Sequence, residues 1–194
     1  MKHYTQKTIE FYNDHVKEYF ESGGVVLRNK ISKFIKLLPG GRVLDVACGP
    51  GHDTDYLTKK GLDCLGIDLS KNMIEFARKN HKGKFEIADF VELDFRKNSF
   101  DGIWCSSALT HIDKSDLLEI LLGFKKILRM GGILAIIVPQ IRRRIQNKND
   151  DRIFTMFDKE ELESYLIDSD FKILRSENFS SKKMKWIFIL SKNN

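Results

Sequence analysis

The spacing of hydrophobic positions changes character near residue 40. Before it, Ile9, Tyr12, Val16, Tyr19 and Phe20 fall on one stripe, which predicts a helix from Thr5 to Phe20. Leu27, Ile31, Phe34, Ile35 and Leu38 predict a second helix from Val25 to Leu38, stopped by Pro39-Gly40-Gly41. After it, short apolar runs alternate with helical patterns. The runs at 42–47, 62–68, 84–88, 100–105 and 133–138 read as strands. Between them, a helix over His52–Lys60 ends at Gly61, and another starts at the N-cap Ser70 and reaches Asn80. A long helix capped by Asp113 carries Leu117, Leu121, Phe124 and Leu128 on one face and ends at Gly131-Gly132. Asp158 and Glu161 form a capping-box-like start to a last helix through Leu166, and strands follow at 171–175 and 185–190.

Strands alternating with helices imply βαβ crossovers and a mainly parallel sheet. The runs 133–138 and 186–190 are apolar on both faces, as a sheet covered by helices on both sides requires. The link between the last two strands has no room for a helix, so they should pair as an antiparallel hairpin. With no repeat, low-complexity stretch or linker, one domain is expected over 1–194, with residues 1–40 as a helical cover and 41–194 as the core.

A length of 194 residues fits that expectation, and 42% hydrophobic with 31% charged residues is a globular composition rather than a disordered one. The longest unbroken apolar run, Ile133–Val138, is far short of the ~20 residues a spanning helix needs. The start, Met1-Lys2-His3-Tyr4, has no apolar stretch after its charge, so no signal peptide is expected. Cys48, Cys64 and Cys105 are odd in number and widely spaced, which argues against a disulfide framework or a zinc site and for a reducing cytoplasm. The net charge of +6 suits either a solvated basic surface or an acidic partner such as RNA. The one dense basic cluster is Arg142-Arg143-Arg144, with Lys148 and Arg152 nearby and no interleaved aromatics.

The chemistry concentrates at Val43-Leu44-Asp45-Val46-Ala47-Cys48-Gly49-Pro50-Gly51, a strand running into a glycine turn that opens a helix. Gly49 and Gly51 would let the backbone approach a ligand and leave helix N–H groups free. Asp68 ends the second strand, where a carboxylate can accept from a ribose diol. Asp89 follows the third strand on the same carboxyl edge, the edge where open parallel sheets bind ligands. Three acids, Asp45, Asp68 and Asp89, therefore converge on one crevice. A dinucleotide fits poorly, because Gly49-Pro50-Gly51-His52-Asp53-Thr54 lacks a third glycine and Asp45 would repel a diphosphate. A phosphate-free nucleoside carrying a sulfonium and an ammonium fits better. Plainer readings stand beside these: Asp45 paired in the core, Asp68 as a helix N-terminal charge, Asp89 as a loop residue.

These segments resemble the motifs of class I S-adenosylmethionine-dependent methyltransferases of the small, single-domain kind. Residues 43–51 resemble the first motif, Gly66-Ile67-Asp68-Leu69-Ser70 the second, Ala88-Asp89-Phe90 the third and Ser99-Phe100-Asp101-Gly102-Ile103-Trp104 the fourth. Leu128-Arg129-Met130-Gly131-Gly132 resembles the turn before strand five. Ala47 stands where the family has its first glycine; as the smallest substitute it should preserve the loop. The resemblance implies a Rossmann-like, doubly wound α/β fold: a mostly parallel seven-stranded sheet with an antiparallel C-terminal hairpin and helices on both faces. It implies S-adenosyl-L-methionine as cofactor and S-adenosyl-L-homocysteine as product. Asp45 and the loop Ala47, Cys48, Gly49 and Gly51 would hold the amino-acid end. Asp68 would take the ribose hydroxyls, Leu69 would pack on the adenine, and Asp89 with the Phe90 backbone would meet its amino edge. Ser106 would lie near the tail or the sulfonium, or simply be a small strand-end residue.

Methyl transfer from a sulfonium is proximity chemistry, and a base matters only if the acceptor arrives protonated. His111, after the fourth strand, is the candidate base; its alternative is a packing histidine ahead of Asp113. Tyr12 and His15 lie on the N-terminal helix, which in this family often covers the cofactor, though Tyr12 also fits a core stripe. Arg28 would meet the cofactor carboxylate or stay exposed. The acceptor surface is expected from the N-terminal helices, the loop after His111 and the segment 139–157. The leading reading is methyl transfer to a small molecule, with no membrane partner. The alternatives are an RNA (tRNA) methyltransferase using residues 142–152, a non-catalytic S-adenosylmethionine-binding protein, and a nicotinamide dehydrogenase.

Overall fold

The structure, a computed structural model, describes residues 3–21, 27–140, 152, 154–181 and 184–194. The sheet has seven strands in the order β3-β2-β1-β4-β5-β7-β6. They are β1 (Arg42–Val46), β2 (Asp63–Asp68), β3 (Lys84–Ile87), β4 (Phe100–Ser106), β5 (Leu128–Pro139), β6 (Phe171–Ser181) and β7 (Met184–Asn193). The five strands β1 to β5 run parallel, and β7 is antiparallel to both β5 and β6. The strand order reverses between β1 and β4, so a crevice opens at their carboxyl ends.

The apolar alternation of β5 shows why both faces are covered. Ile133, Ala135 and Ile137 face α3 (Arg28–Ile35) and α4 (His52–Lys59), while Leu134, Ile136 and Val138 face α6 (Leu117–Ile127) and α7 (Lys159–Asp168). On β1 the same two-residue period sends Leu44 and Val46 to the second face, and Asp45 to the side of Val43 and α4. Helix α5 (Lys71–Asn80) starts at the expected cap, with Ser70 Oγ accepting from Met73 N at 3.1 Å. Asp158 likewise caps α7 by accepting from Glu161 N at 2.7 Å.

Several expected boundaries move. The first helix divides into α1 (His3–Asp14) and α2 (Val16–Glu21). At the break the His15 ring bonds the Phe11 carbonyl at 2.7 Å and stacks on the Phe11 ring. The described part of the second helix is shorter than expected, and its predicted start at Val25 lies outside the described residues. Asp113 caps not the long helix but a short 3-10 turn, Lys114–Asp116, ahead of it. β5 begins five residues before the apolar run, because Leu128 already pairs with Phe100 and a bulge, with Gly131 at φ +78, absorbs the irregularity before Ile133. β6 and β7 are about twice as long as their apolar cores, since the hairpin pairs on through polar residues to Ser181 and Met184. The Arg142–Arg144 cluster and Lys148 lie outside the described residues.

Candidate functional site

A cavity of about 450 Å³ opens at the carboxyl ends of β1 and β4. Asp45, Ala47, Cys48, Gly49, Asp68, Ser106, Tyr12 and His111 all line it. A smaller annex of about 80 Å³ adjoins it, bounded by Leu69, Asp89 and Phe90 on the sheet side and by Thr8 and Ile9 of α1 on the other. Tyr12, Ala47, Asp68 and His111 border both spaces, so the two are lobes of one hollow.

The glycine turn divides its labour. Gly49 lines the cavity at φ +54, and a Cβ there would meet nothing within 4 Å. Gly51 does not reach the cavity. It needs to be glycine for packing: at φ +93 a Cβ would sit 2.8 Å from the Phe85 ring and 2.9 Å from Ala77 Cβ. Ala47 holds φ +53, a left-handed conformation that costs an L-residue about 1–2 kcal/mol. Ser107, beside Ser106 on the same cavity wall, holds φ +63. Strained backbone thus flanks the hollow at the ends of two adjacent strands.

The acids are held by the chain's own donors. Thr54 Oγ1 donates to Asp45 Oδ2 at 2.6 Å. Gly49 N and Ser70 N donate to the two oxygens of Asp68 at 2.9 and 2.8 Å. Val91 N donates to Asp89 Oδ1 at 2.9 Å. A further carboxylate, Asp53, enters the cavity from the first turn of α4 and accepts from Trp104 Nε1 at 2.8 Å. Burial pushes Asp45 well above the usual carboxylate range, with the nearby Asp53 and Asp68 adding repulsion. Burial also lifts Asp53 to about 6 and raises Asp68. Among the described residues no lysine or arginine pairs with these three acids. The hollow is therefore a site where a cation would restore their charge. Burial, and then Asp45 and Asp68, hold the Cys48 thiol protonated, which removes it as a nucleophile.

At the junction of the lobes Tyr12 Oη lies 2.8 Å from His111 Nε2. Burial, and then Tyr19, raise the pKa of Tyr12, so its phenol stays protonated beside the imidazole. Arg152 Nη1 donates to Tyr19 Oη at 2.7 Å and to Tyr12 Oη at 3.3 Å, with its guanidinium 3.7 Å above the Phe11 ring. Thr155 N donates to the Thr110 carbonyl at 2.7 Å, which ties this segment to the turn carrying His111.

Arg28, like Gly51, is an expected site residue that the structure places away from the hollow. It is exposed on α3, 5.6 Å over the Tyr56 ring, because Leu27, Ile31 and Phe34 take the inward face of that helix. Sequence reasoning also missed Asp53, Tyr19, Met73, Leu27 and Trp186 as cavity residues. Asp53 alone had a local signal, an acid two residues past the glycine turn; the others arrive by tertiary packing.

S-adenosyl-L-methionine, the group such a hollow implies, fits the residues present. Carboxylates without a cation suit its ammonium and sulfonium, Asp68 suits a ribose diol, and the apolar annex suits an aromatic base.

Comparison with known proteins agrees. The family described as "Methyltransferase domain" matches residues 43–132. Phosphoethanolamine N-methyltransferase 3 of Arabidopsis thaliana is 36% identical over 121 residues, 59% of this chain but 24% of that protein, so the chain spans about a quarter of that relative's length. Phosphoethanolamine N-methyltransferase of Plasmodium falciparum is 28% identical over 190 residues, covering 91% of this chain and 71% of its own. The fold matches that of 1,6-didemethyltoxoflavin-N1-methyltransferase of Burkholderia thailandensis, solved with S-adenosylhomocysteine, at a TM-score of 0.76 and 19% identity over 99% of this chain and 91% of that one. Motif order, sheet topology and these likenesses agree: residues 43–132 match a methyltransferase domain, and the chain is similar in sequence and fold to S-adenosylmethionine-dependent methyltransferases.

Proposed function

We propose that this chain moves the methyl group of S-adenosyl-L-methionine to the nitrogen of a small phosphorylated amine, of the phosphoethanolamine kind. The observation that carries this reading is the Tyr12–His111 pair at the junction of the two lobes, with the Arg152 guanidinium bonded to the same phenol. An amine is protonated near neutral pH and cannot attack until a base takes its proton. His111, in its neutral form, is that base, reached directly or through the Tyr12 hydroxyl. Arg152 supplies the counter-charge for a phosphate. The names of the Arabidopsis and Plasmodium relatives point to the same substrate class.

The bound cofactor supplies an electrophilic methyl on a sulfur that leaves without needing a proton. Asp45 and Asp53 would hold its ammonium, and Asp68 its ribose hydroxyls. Leu69, Asp89 and Phe90 would wall the adenine, and Ser106 would stand by the tail. The α1–α2 cover and Met73 exclude water from the reacting atoms.

The test is formation of S-adenosylhomocysteine with phosphoethanolamine and with ethanolamine as acceptors. Turnover with the phosphorylated amine and at least tenfold less kcat/KM with ethanolamine is expected. Equal turnover of both removes the phosphate from the reading, and no turnover with either, while S-adenosylhomocysteine still binds, removes the acceptor class.

A further inference from the structure

The annex has a wall that the sheet does not supply. Thr8, Ile9 and Tyr12 come from α1, so this lobe is closed only while α1 is seated. What seats it is the residue next to Tyr12. Asn13 Oδ1 accepts from Ser70 Oγ at 2.7 Å and from Asn72 N at 3.2 Å, and Asn72 Nδ2 donates to the Asn13 carbonyl at 3.0 Å.

The first N–H groups of a helix have no partner within it. In α5, Ser70 satisfies Met73 N, and Asn13 reaches across from α1 to satisfy Asn72 N. The first turn of α5 is thus capped by two segments of chain, one of them part of the cover. Ser70 N in turn donates to Asp68, so a short run of hydrogen bonds joins that cavity carboxylate to α1. One residue away, Tyr12 makes its contact with His111.

We infer that Asn13 is a positioning residue: by capping α5 from α1 it makes closure of the adenine lobe and assembly of the Tyr12–His111 pair a single event. Cofactor in the annex favours the seated helix, and the seated helix presents the phenol to the histidine. This rests on the cofactor and not on the identity of the acceptor.

The test compares the wild-type chain with Asn13→Leu, which removes the acceptor atom at similar size, and Asn13→Asp, which keeps two acceptor oxygens and suits a helix N-terminus. Calorimetry with S-adenosylhomocysteine should show a roughly tenfold weaker Kd for Asn13→Leu and near wild-type binding for Asn13→Asp. Hydrogen exchange over α1 should slow on adding S-adenosylhomocysteine in the wild type and in Asn13→Asp, and much less in Asn13→Leu, with the sheet unchanged in all three. With phosphoethanolamine as acceptor, the losses in kcat from Asn13→Leu and Tyr12→Phe should not add in the double variant, because both act through one contact. Wild-type binding and protection in Asn13→Leu, failure of Asn13→Asp to restore them, or additive losses in kcat would each overturn the inference. If the wild type does not turn over phosphoethanolamine, the acceptor reading fails, while the binding and exchange measurements still decide the role of Asn13.

Discussion

Asp45, Asp53 and Asp68 lie within one stretch of chain, on β1, α4 and β2, whereas Tyr12, His111 and Arg152 come from α1, the turn after β4 and the segment after β5. The first group is fixed by a parallel register in which Asp45 pairs with Gly66, and by donors from its own neighbourhood: Thr54, Gly49 and Ser70. The second group is held largely by its own members, Tyr12 to His111 and Arg152 to Tyr12 and Tyr19. A cradle built from local sequence and a mouth assembled over long range, joined through α1, should fail in different measure. His111→Ala should lower kcat with phosphoethanolamine by about 10²–10⁴-fold while S-adenosylhomocysteine weakens by only about a few-fold, the part of α1 seating that the Tyr12 contact supplies. Asp68→Ala should do the reverse in kind, weakening S-adenosylhomocysteine about 10–150-fold through the lost charged hydrogen bonds. If His111→Ala loses cofactor binding to the same extent as Asp68→Ala, the two regions are one unit and the contrast is wrong.

The same contrast explains what could be read beforehand. Asp45, Gly49, Asp68 and Asp89 sit at the ends of strands whose apolar runs are unmistakable, and sheet periodicity alone sends them to one edge. Asp53 was within reach of that reasoning, but the first turn of a helix is also where an ordinary acid sits. Tyr12 and His111 could be named as candidates, but their 2.8 Å approach depends on how α1 seats, and nothing local encodes that. Trp186 was legible only as part of an apolar strand. Its place in the cavity follows from β7 running antiparallel to β5, which brings the start of β7 opposite Pro139 at the carboxyl edge. Arg28 was misplaced because helix periodicity fixes a face but not the neighbour that face meets.

The buried acids make a pH test of the cradle. Asp53 is lifted by burial to about 6 from the ordinary 3.8, and Asp45 and Asp68 move in the same direction. Between about pH 4 and 6 the folded, ligand-free chain therefore binds more protons than the unfolded chain, and these groups add stability as pH falls through that window. A cationic ligand needs the ionised form, so its affinity moves oppositely and should fall by up to about tenfold per pH unit below 6. The rise in melting temperature caused by S-adenosylhomocysteine should then shrink from pH 7 to pH 5, and shrink less in Asp53→Asn, which keeps an acceptor for Trp104. A ligand-induced rise that is constant from pH 5 to 8 would mean that these carboxyls do not titrate with binding.

Ala47 gives the smallest and sharpest test, because it touches both lobes but no polar atom of its side chain is involved. Its φ of +53 is a conformation that glycine adopts freely and alanine does not. Ala47→Gly removes about 1–2 kcal/mol of backbone strain and gives back about 0.5–1 kcal/mol in the greater freedom of the unfolded chain. The net expectation is a gain of about 0.5–1 kcal/mol, seen as a rise of a few degrees in melting temperature, with cofactor affinity changed less than about threefold. The methyl of Ala47 also packs against the core cluster of β1 and α6, and losing that contact works against the gain. A fall in melting temperature would show that packing outweighs strain at this position, and that alanine stands at the start of this loop for its contact with the core rather than as a tolerated substitute.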